Sequence, residues 1–113
     1  MDRFIARENI KFYSNRLRTE ADAATRSRVR LLLVEELDRL GADLEFIVEI
    51  ERAISAFDAL IKTQRNLVMM LEHDGLDGDG RARALLNGLL ESKAVHRSYH
   101  RRTLRSLGLT RAC

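Results

Sequence analysis

Residues 47–71 read IVEIERAISAFDALIKTQRNLVMML, and this stretch decides the fold that the sequence predicts. Its apolar residues recur at alternating steps of three and four, which is the heptad spacing of a helix that packs lengthwise against other helices. One polar residue, Gln64, interrupts them. We call this set the seam row, and its members are Ile47, Ile50, Ile54, Phe57, Ile61, Gln64, Val68 and Leu71.

A second apolar row lies beside the seam row on the same predicted helix. Its members, one heptad apart, are Phe46, Ala53, Leu60 and Leu67. Two adjacent rows make an apolar stripe that is wider than the contact between two helices uses. More than one partner helix is therefore expected to cover the long helix.

Two shorter helices are predicted upstream of this long helix. Apolar residues at helical spacing occupy residues 4–17, and residues 19–22 interrupt the pattern. Asp22 is placed to accept backbone N–H bonds at the start of the second helix, which continues to Leu40. Gly41 is expected to end that helix, because glycine commonly follows a helix C-terminus.

A fourth helix is predicted downstream of a turn. Residues 73–80 read HDGLDGDG, a cluster of turn-forming residues that ends the long helix. Asp77 or Asp79 is the expected N-cap of the fourth helix, which continues to about Leu107. The apolar stripe of this helix turns polar in its second half, at Lys93, His96, His100 and Thr103.

These elements predict an all-α fold in one domain that spans residues 1–113. The chain has no proline and few aromatic residues, and its apolar residues are mostly helix formers. We expect antiparallel hairpins: two short helices in residues 1–41, then two long helices in residues 42–113. Folding the long hairpin about position 76 places Phe57 near His96.

The same folding places Gln64 opposite Gly88. A glycine in the middle of a helix costs about 1 kcal/mol relative to alanine. We therefore expect Gly88 to admit the Gln64 amide or another backbone at close range. A lone polar residue in a seam more often fixes the register of two helices than binds a ligand.

The sequence favours a homodimer. Each long helix is about twice the length of a short one, so the short hairpin cannot cover the long hairpin along its whole length unless its helices lie end to end. A second chain is the simplest cover, and closed dimers are the commonest assemblies. We therefore predict a homodimeric helical bundle with the seam row as its interface.

Charge is distributed unevenly along the chain. Residues 34–60 hold eight acidic and two basic residues, whereas residues 81–113 hold eight basic residues and one acid, Glu91. The favoured interpretation is that these surfaces complement each other within the fold or across a dimer. The alternative is a basic surface that binds an acidic partner. Its residues are Arg97, Arg101, Arg102 and Arg105, and Tyr99 is nearby.

Metal binding is the weaker interpretation of the histidines. His96 and His100 are four residues apart and share a helix face, but two imidazoles need at least a third ligand. The aspartates of residues 73–80 do not match a calcium loop either, because counting from Asp77 places Arg81 at the fifth position. We therefore predict no metal and no cofactor.

No catalytic constellation is visible in the sequence. A Ser/His/Asp order, a glycine-rich phosphate loop and the Glu-x-x-His pairs of a di-iron bundle are all missing. Glu35 and Glu36 diverge on a helix and are expected to be solvated. The only cysteine, Cys113, excludes an internal disulfide and a site of four thiolates.

The expected compartment is the cytoplasm. No uncharged apolar run approaches the roughly 18 residues that cross a membrane, and the first residues lack the apolar stretch of a secretory signal. No membrane partner is therefore predicted.

Two stretches resemble small, uncharacterised helical-hairpin proteins of alphaproteobacteria of the rhizobial type. The first is residues 4–10, FIARENI, leading into residues 31–40; the second is residues 54–71, joined through residues 74–77 to residues 85–97. The resemblance covers most of the chain. It implies an antiparallel hairpin and a setting in signalling, and it transfers no catalytic residue.

The sequence thus favours a non-enzymatic module for protein–protein interaction or oligomerisation, with a possible association with signalling. The alternative is a small nucleic-acid-binding protein that uses the basic C-terminal helix. The two hypotheses differ in whether an apolar or a basic surface carries function.

Overall fold

The computed structural model describes residues 3–76, 78 and 80–108. Within them the fold is all-α, as predicted, with no strand. Among these residues, no helix combines the length and apolar character needed to cross a bilayer. The helices are α1 (Arg3–Thr19), α2 (Ala23–Leu40), α3 (Leu44–His73) and α4 (Arg81–Ser106).

Local signals begin and end α2 where the sequence predicts. The Asp22 carboxylate accepts a hydrogen bond of 2.9 Å from the backbone N–H of Thr25 and so caps α2. Gly41 follows α2 with a φ of 69°, a left-handed conformation that favours glycine. The N-cap of α4 is Gly80, and the predicted caps Asp77 and Asp79 lie outside the described residues.

The two long helices pair along their length. α3 packs against α4, with Asp58 beside Lys93 and Glu51 beside His100, so the two helices run antiparallel. The predicted proximity of Phe57 and His96 is confirmed.

The short helices lie side by side on one end of the long pair. α1 and α2 pack against each other, and both contact α4. Ser14 of α1 reaches His96, and Arg26 of α2 reaches Glu91, so neither helix extends to the turn that joins α3 to α4. At 1.5 Å per residue, α1 spans about 25 Å and α3 about 45 Å. The short hairpin therefore covers only part of the long one.

The core accordingly has two parts. The basal core draws on all four helices and includes Ile10, Leu33, Ile50 and Tyr99. The tip core belongs to α3 and α4 alone and consists of Phe57, Ile61, Val68, Ala82, Leu86 and Leu89.

The seam row faces the interior of the chain. Five of its apolar members are only 1% to 6% exposed, and Ile54 and Leu71 pack against the same cores. This placement corrects the predicted interface, because α4 and the short hairpin already occupy the surface that a second chain would need. The five buried members are Ile47, Ile50, Phe57, Ile61 and Val68.

The Gln64 side chain does not contact Gly88. Its amide Nε2 donates a hydrogen bond of 2.8 Å to the carbonyl oxygen of Ala82, nearer the turn. Gly88 instead faces the backbone of Leu17 and Arg18 at the end of α1. The general expectation that Gly88 admits a close backbone is therefore confirmed, but the partner is α1.

Candidate interaction surfaces

His96 lies between α1, α3 and α4 and is only 3% exposed. Its Nδ1 lies 2.7 Å from the carbonyl oxygen of Ser92, which only accepts, so Nδ1 carries the proton. The Nε2 atom, 3.3 Å from the Ser14 hydroxyl, then accepts a hydrogen bond from it. The imidazole edge contacts the Phe57 ring at a centroid distance of 5.1 Å.

Burial lowers the pKa of His96, because an apolar floor disfavours the imidazolium. The hydrogen bond to the Ser92 carbonyl acts in the opposite direction and only partly offsets burial. The neutral ring is therefore favoured in the folded chain. Both ring nitrogens already have partners, so His96 serves the packing of three helices.

The structure does not bring His96 and His100 together around a shared ligand set. The Nε2 atom of His100 is 3.5 Å from a carboxylate oxygen of Glu51, whereas the ring nitrogens of His96 bond to Ser92 and Ser14. Among the described residues, no group of three histidine, cysteine or acidic side chains is arranged to hold a metal ion.

A groove with a volume of about 500 Å³ separates α1 from α3. Ion pairs close one end, where Arg7 binds Asp43 at 2.7 Å and Lys11 approaches Glu49 at 3.7 Å. The groove then opens toward the tip of the long hairpin. Its apolar lining includes Ile10, Phe46, Ile50, Ala53, Phe57 and Leu60.

The apolar surface that α3 contributes to the groove continues toward the tip of the long hairpin. On α3, residues spaced by four and three carry no charge and are exposed; we call them the tip row. Leu60 is 41% exposed, Leu67 42% and Met70 63%, which is high for large apolar side chains. The tip row consists of Ala56, Leu60, Thr63, Leu67 and Met70.

Many basic residues of α4 pair with acidic residues elsewhere in the chain. Arg102 binds Asp38 at 3.0 Å, and Lys93 contacts Asp58. The favoured interpretation of the charge segregation therefore holds for these residues. It does not hold for three exposed arginines of α4 that have no ion pair among the described residues, namely Arg97, Arg101 and Arg105.

Tyr99 does not belong to the basic surface. It is buried against Phe46, and its hydroxyl donates a hydrogen bond of 2.8 Å to the carbonyl oxygen of Gly41. Burial raises the pKa of Tyr99. The ring thus ties α4 to the turn between α2 and α3 and is unavailable for stacking on a base.

Three charged residues are buried, and of these the sequence analysis considered only Glu36. Asp43 caps α3. Arg26 donates a hydrogen bond of 2.7 Å to the carbonyl oxygen of Ala21, and the Glu36 carboxylate accepts one of 2.6 Å from Arg39. The expectation that Glu36 is solvated is therefore wrong, because its side chain lies beside the basal core. An aspartate at position 43, just before the long helix, indicates an N-cap, whereas no local pattern indicates that Arg26 is buried.

The chain matches no family model, no curated protein and no solved structure in the three comparisons made. The resemblance to rhizobial-type helical-hairpin proteins therefore stays a prediction.

Proposed function

We propose that this chain is a non-enzymatic interaction module that self-associates through the tip row of α3. The observation that carries this proposal is the apolar stripe of α3, which lines the groove beside α1 and is exposed from there to the tip of the long hairpin. Ala56 and Leu60 are exposed in the groove beside α1, and Thr63, Leu67 and Met70 continue the same exposed face of α3 beyond the groove lining.

The chemistry of the tip row favours a second copy of the chain as its partner. The row from Ala56 to Met70 is uncharged, so it can meet its own symmetry mate without opposing like charges. Its heptad spacing suits packing between helices. Two tips joined in this way would complete a helical bundle in which each chain supplies α3 and α4.

The deciding experiment is the solution mass of the purified protein, measured by light scattering at low and high salt up to high micromolar concentration. We expect a dimer that persists in high salt, because apolar burial drives it. The double variant Leu60→Glu/Leu67→Glu should be monomeric with an unchanged circular dichroism spectrum, because both side chains are exposed.

The matched control is Val48→Glu, which introduces one charge at an exposed apolar position of α3 outside the tip row. It should leave the dimer intact. A monomeric wild-type protein at these concentrations contradicts the proposal, as does a dimer that the double variant leaves unchanged.

A second candidate function, binding to nucleic acid, rests on the unpaired arginines of α4. Arg97, Arg101 and Arg105 are four residues apart, so they lie on one exposed face at intervals of about 6 Å. Such a row can neutralise successive phosphates. Arg102, which the sequence placed with them, is paired with Asp38 instead.

Fluorescence polarisation with labelled DNA and RNA at several salt concentrations tests this second function. We expect the affinity to fall as the salt concentration rises. The triple variant Arg97→Gln/Arg101→Gln/Arg105→Gln should reduce the slope of log affinity against log salt concentration by about three. Arg28→Gln, on α2, is the control. Lack of binding at low ionic strength contradicts nucleic-acid binding and leaves the tip row proposal untouched.

A further inference from the structure

The groove between α1 and α3 has the size and lining of a small-molecule site. Its volume of about 500 Å³ lies within the range of about 300–1,000 Å³ that is common for ligand pockets. Apolar side chains form most of its walls, and the Phe57 ring and the neutral His96 imidazole form its floor. An apolar body would replace water there without leaving a buried charge unpaired.

Positive charge is uncompensated in the lining of this groove. Arg18 is half-buried, and Arg52 is exposed; both line the groove, and neither has an ion pair among the described residues. The other two charges in the lining, Lys11 and Glu49, approach each other at 3.7 Å. The groove therefore presents two free guanidinium groups and no free carboxylate of its own.

A guanidinium group is the side chain best suited to bind a carboxylate, because its N–H groups match the two carboxylate oxygens. The neighbouring Asn15 and Ser14 add uncharged polar groups to the same lining. A ligand that satisfies both parts of the groove needs one anionic end and one apolar body.

We propose that the groove between α1 and α3 binds an amphipathic monocarboxylate, with its carboxylate at Arg18 and its aliphatic or aromatic body over Phe57 and His96, while Arg52 adds positive charge to the lining. This site adjoins the proposed self-association surface, because Ala56 and Leu60 belong to both. Leu67 does not line the groove. The variant Leu67→Glu therefore allows the groove to be tested with the tip row altered.

Decanoate is a suitable probe, with decanol as the matched molecule that lacks the charge. Calorimetric titration should give saturable binding of decanoate to the wild type and to Leu67→Glu. We expect decanol to bind at least tenfold more weakly, and Arg18→Gln/Arg52→Gln to weaken decanoate at least tenfold while leaving decanol unchanged.

Two further variants separate the groove from general effects of charge. Arg97→Gln/Arg101→Gln removes the same charge from α4 and should leave decanoate binding within twofold of wild type. Ala53→Phe places a ring in the groove and should abolish the binding of both probes. The proposal is overturned if decanoate does not saturate a site at millimolar concentration, if decanol binds equally well, or if the α4 variant weakens decanoate as much as the groove variant.

Discussion

The α-carbon of Gly88 in α4 faces the carbonyl oxygen of Leu17 in α1 so closely that a Cβ at Gly88 would lie 2.6 Å from that oxygen. The backbone of Arg18 lies beside it, so there is no flexible side chain to move aside. The crossing of α1 over α4 is therefore set at a position where only hydrogen fits.

Gly88→Ala should destabilise the fold. Alanine gains about 1 kcal/mol of helix propensity over glycine, but forcing α1 away from α4 costs about 1–3 kcal/mol. We expect a net loss of up to about 2 kcal/mol in urea unfolding. Gly78→Ala, where a Cβ meets no neighbour, is the control and should be close to neutral. A stabilised Gly88→Ala variant would mean that α1 does not cross there.

Ser92→Ala should be neutral or stabilising. The Ser92 hydroxyl is fully buried and has no hydrogen-bond partner among the described residues, and an unsatisfied buried polar group costs about 1–3 kcal/mol. The carbonyl of residue 92, which His96 uses, is backbone and survives the substitution. Thermal unfolding should show an equal or higher Tm. A clear loss of stability would indicate that the hydroxyl has a partner.

Asp43→Ala should cost more than Asp22→Ala. Both aspartates cap a helix through a backbone N–H, which is worth about 1 kcal/mol. Asp43 is also buried and binds Arg7 at 2.7 Å, so its removal leaves a guanidinium without its main partner. We expect a loss of about 2 kcal/mol for Asp43→Ala, about 1 kcal/mol for Asp22→Ala, and an intermediate value for Asp43→Asn. Equal losses for the two alanine variants would contradict the role of Arg7.

Stability should decline in mildly acidic solution because of His96. Burial lowers the pKa of His96 in the folded chain below its usual value of 6.5, so the unfolded chain binds the proton more readily. The contribution of the neutral ring is complete above pH 6.5 and is lost as pH falls through the lower folded pKa. Urea unfolding from pH 7.5 downward should show this loss in wild type and a smaller one in His96→Gln.

Asp43 acts in a separate, more acidic window. Burial alone would raise its pKa, but hydrogen bonds from Arg7 and from the backbone N–H of Phe46 outweigh burial and hold the pKa below 3.8. Its contribution is therefore present above pH 3.8 and is lost as pH falls through the folded pKa.

The prediction for His96 is contradicted if the decline in stability between pH 7.5 and 5 is the same in wild type and in His96→Gln. That result would show that another group titrates.

The four helices and the two ends of α2 were predictable because their signals are local. Asp22 and Gly41 mark a helix start and a helix end through bonds to residues three or four positions away. The proximity of Phe57 and His96 followed from the length of the turn. These features depend on spacing along the chain rather than on how helices pack in three dimensions.

The packing of α1 was not predictable in the same way. Periodicity identifies an apolar stripe but does not say which neighbour covers it, and the sequence therefore assigned the buried seam row to a second chain. Nothing near Leu17 indicates that its carbonyl meets Gly88, and nothing local predicts that Arg18 and Arg52 line one groove. Such contacts depend on the crossing of distant helices.

The division between the basal core and the tip core separates two kinds of contact along the same pair of long helices. Contacts of the tip core close a short loop and cost little chain entropy, whereas the basal core joins Ile10 to Tyr99 across most of the chain. The contacts of the tip core join residues that are close in sequence, which favours their early formation in folding. Because the tip core is made of only two helices, it is also expected to open locally before the basal core does. Backbone amide protons near the tip would then exchange with solvent faster than those at the base, and pairing of two tips would slow exchange at that end first.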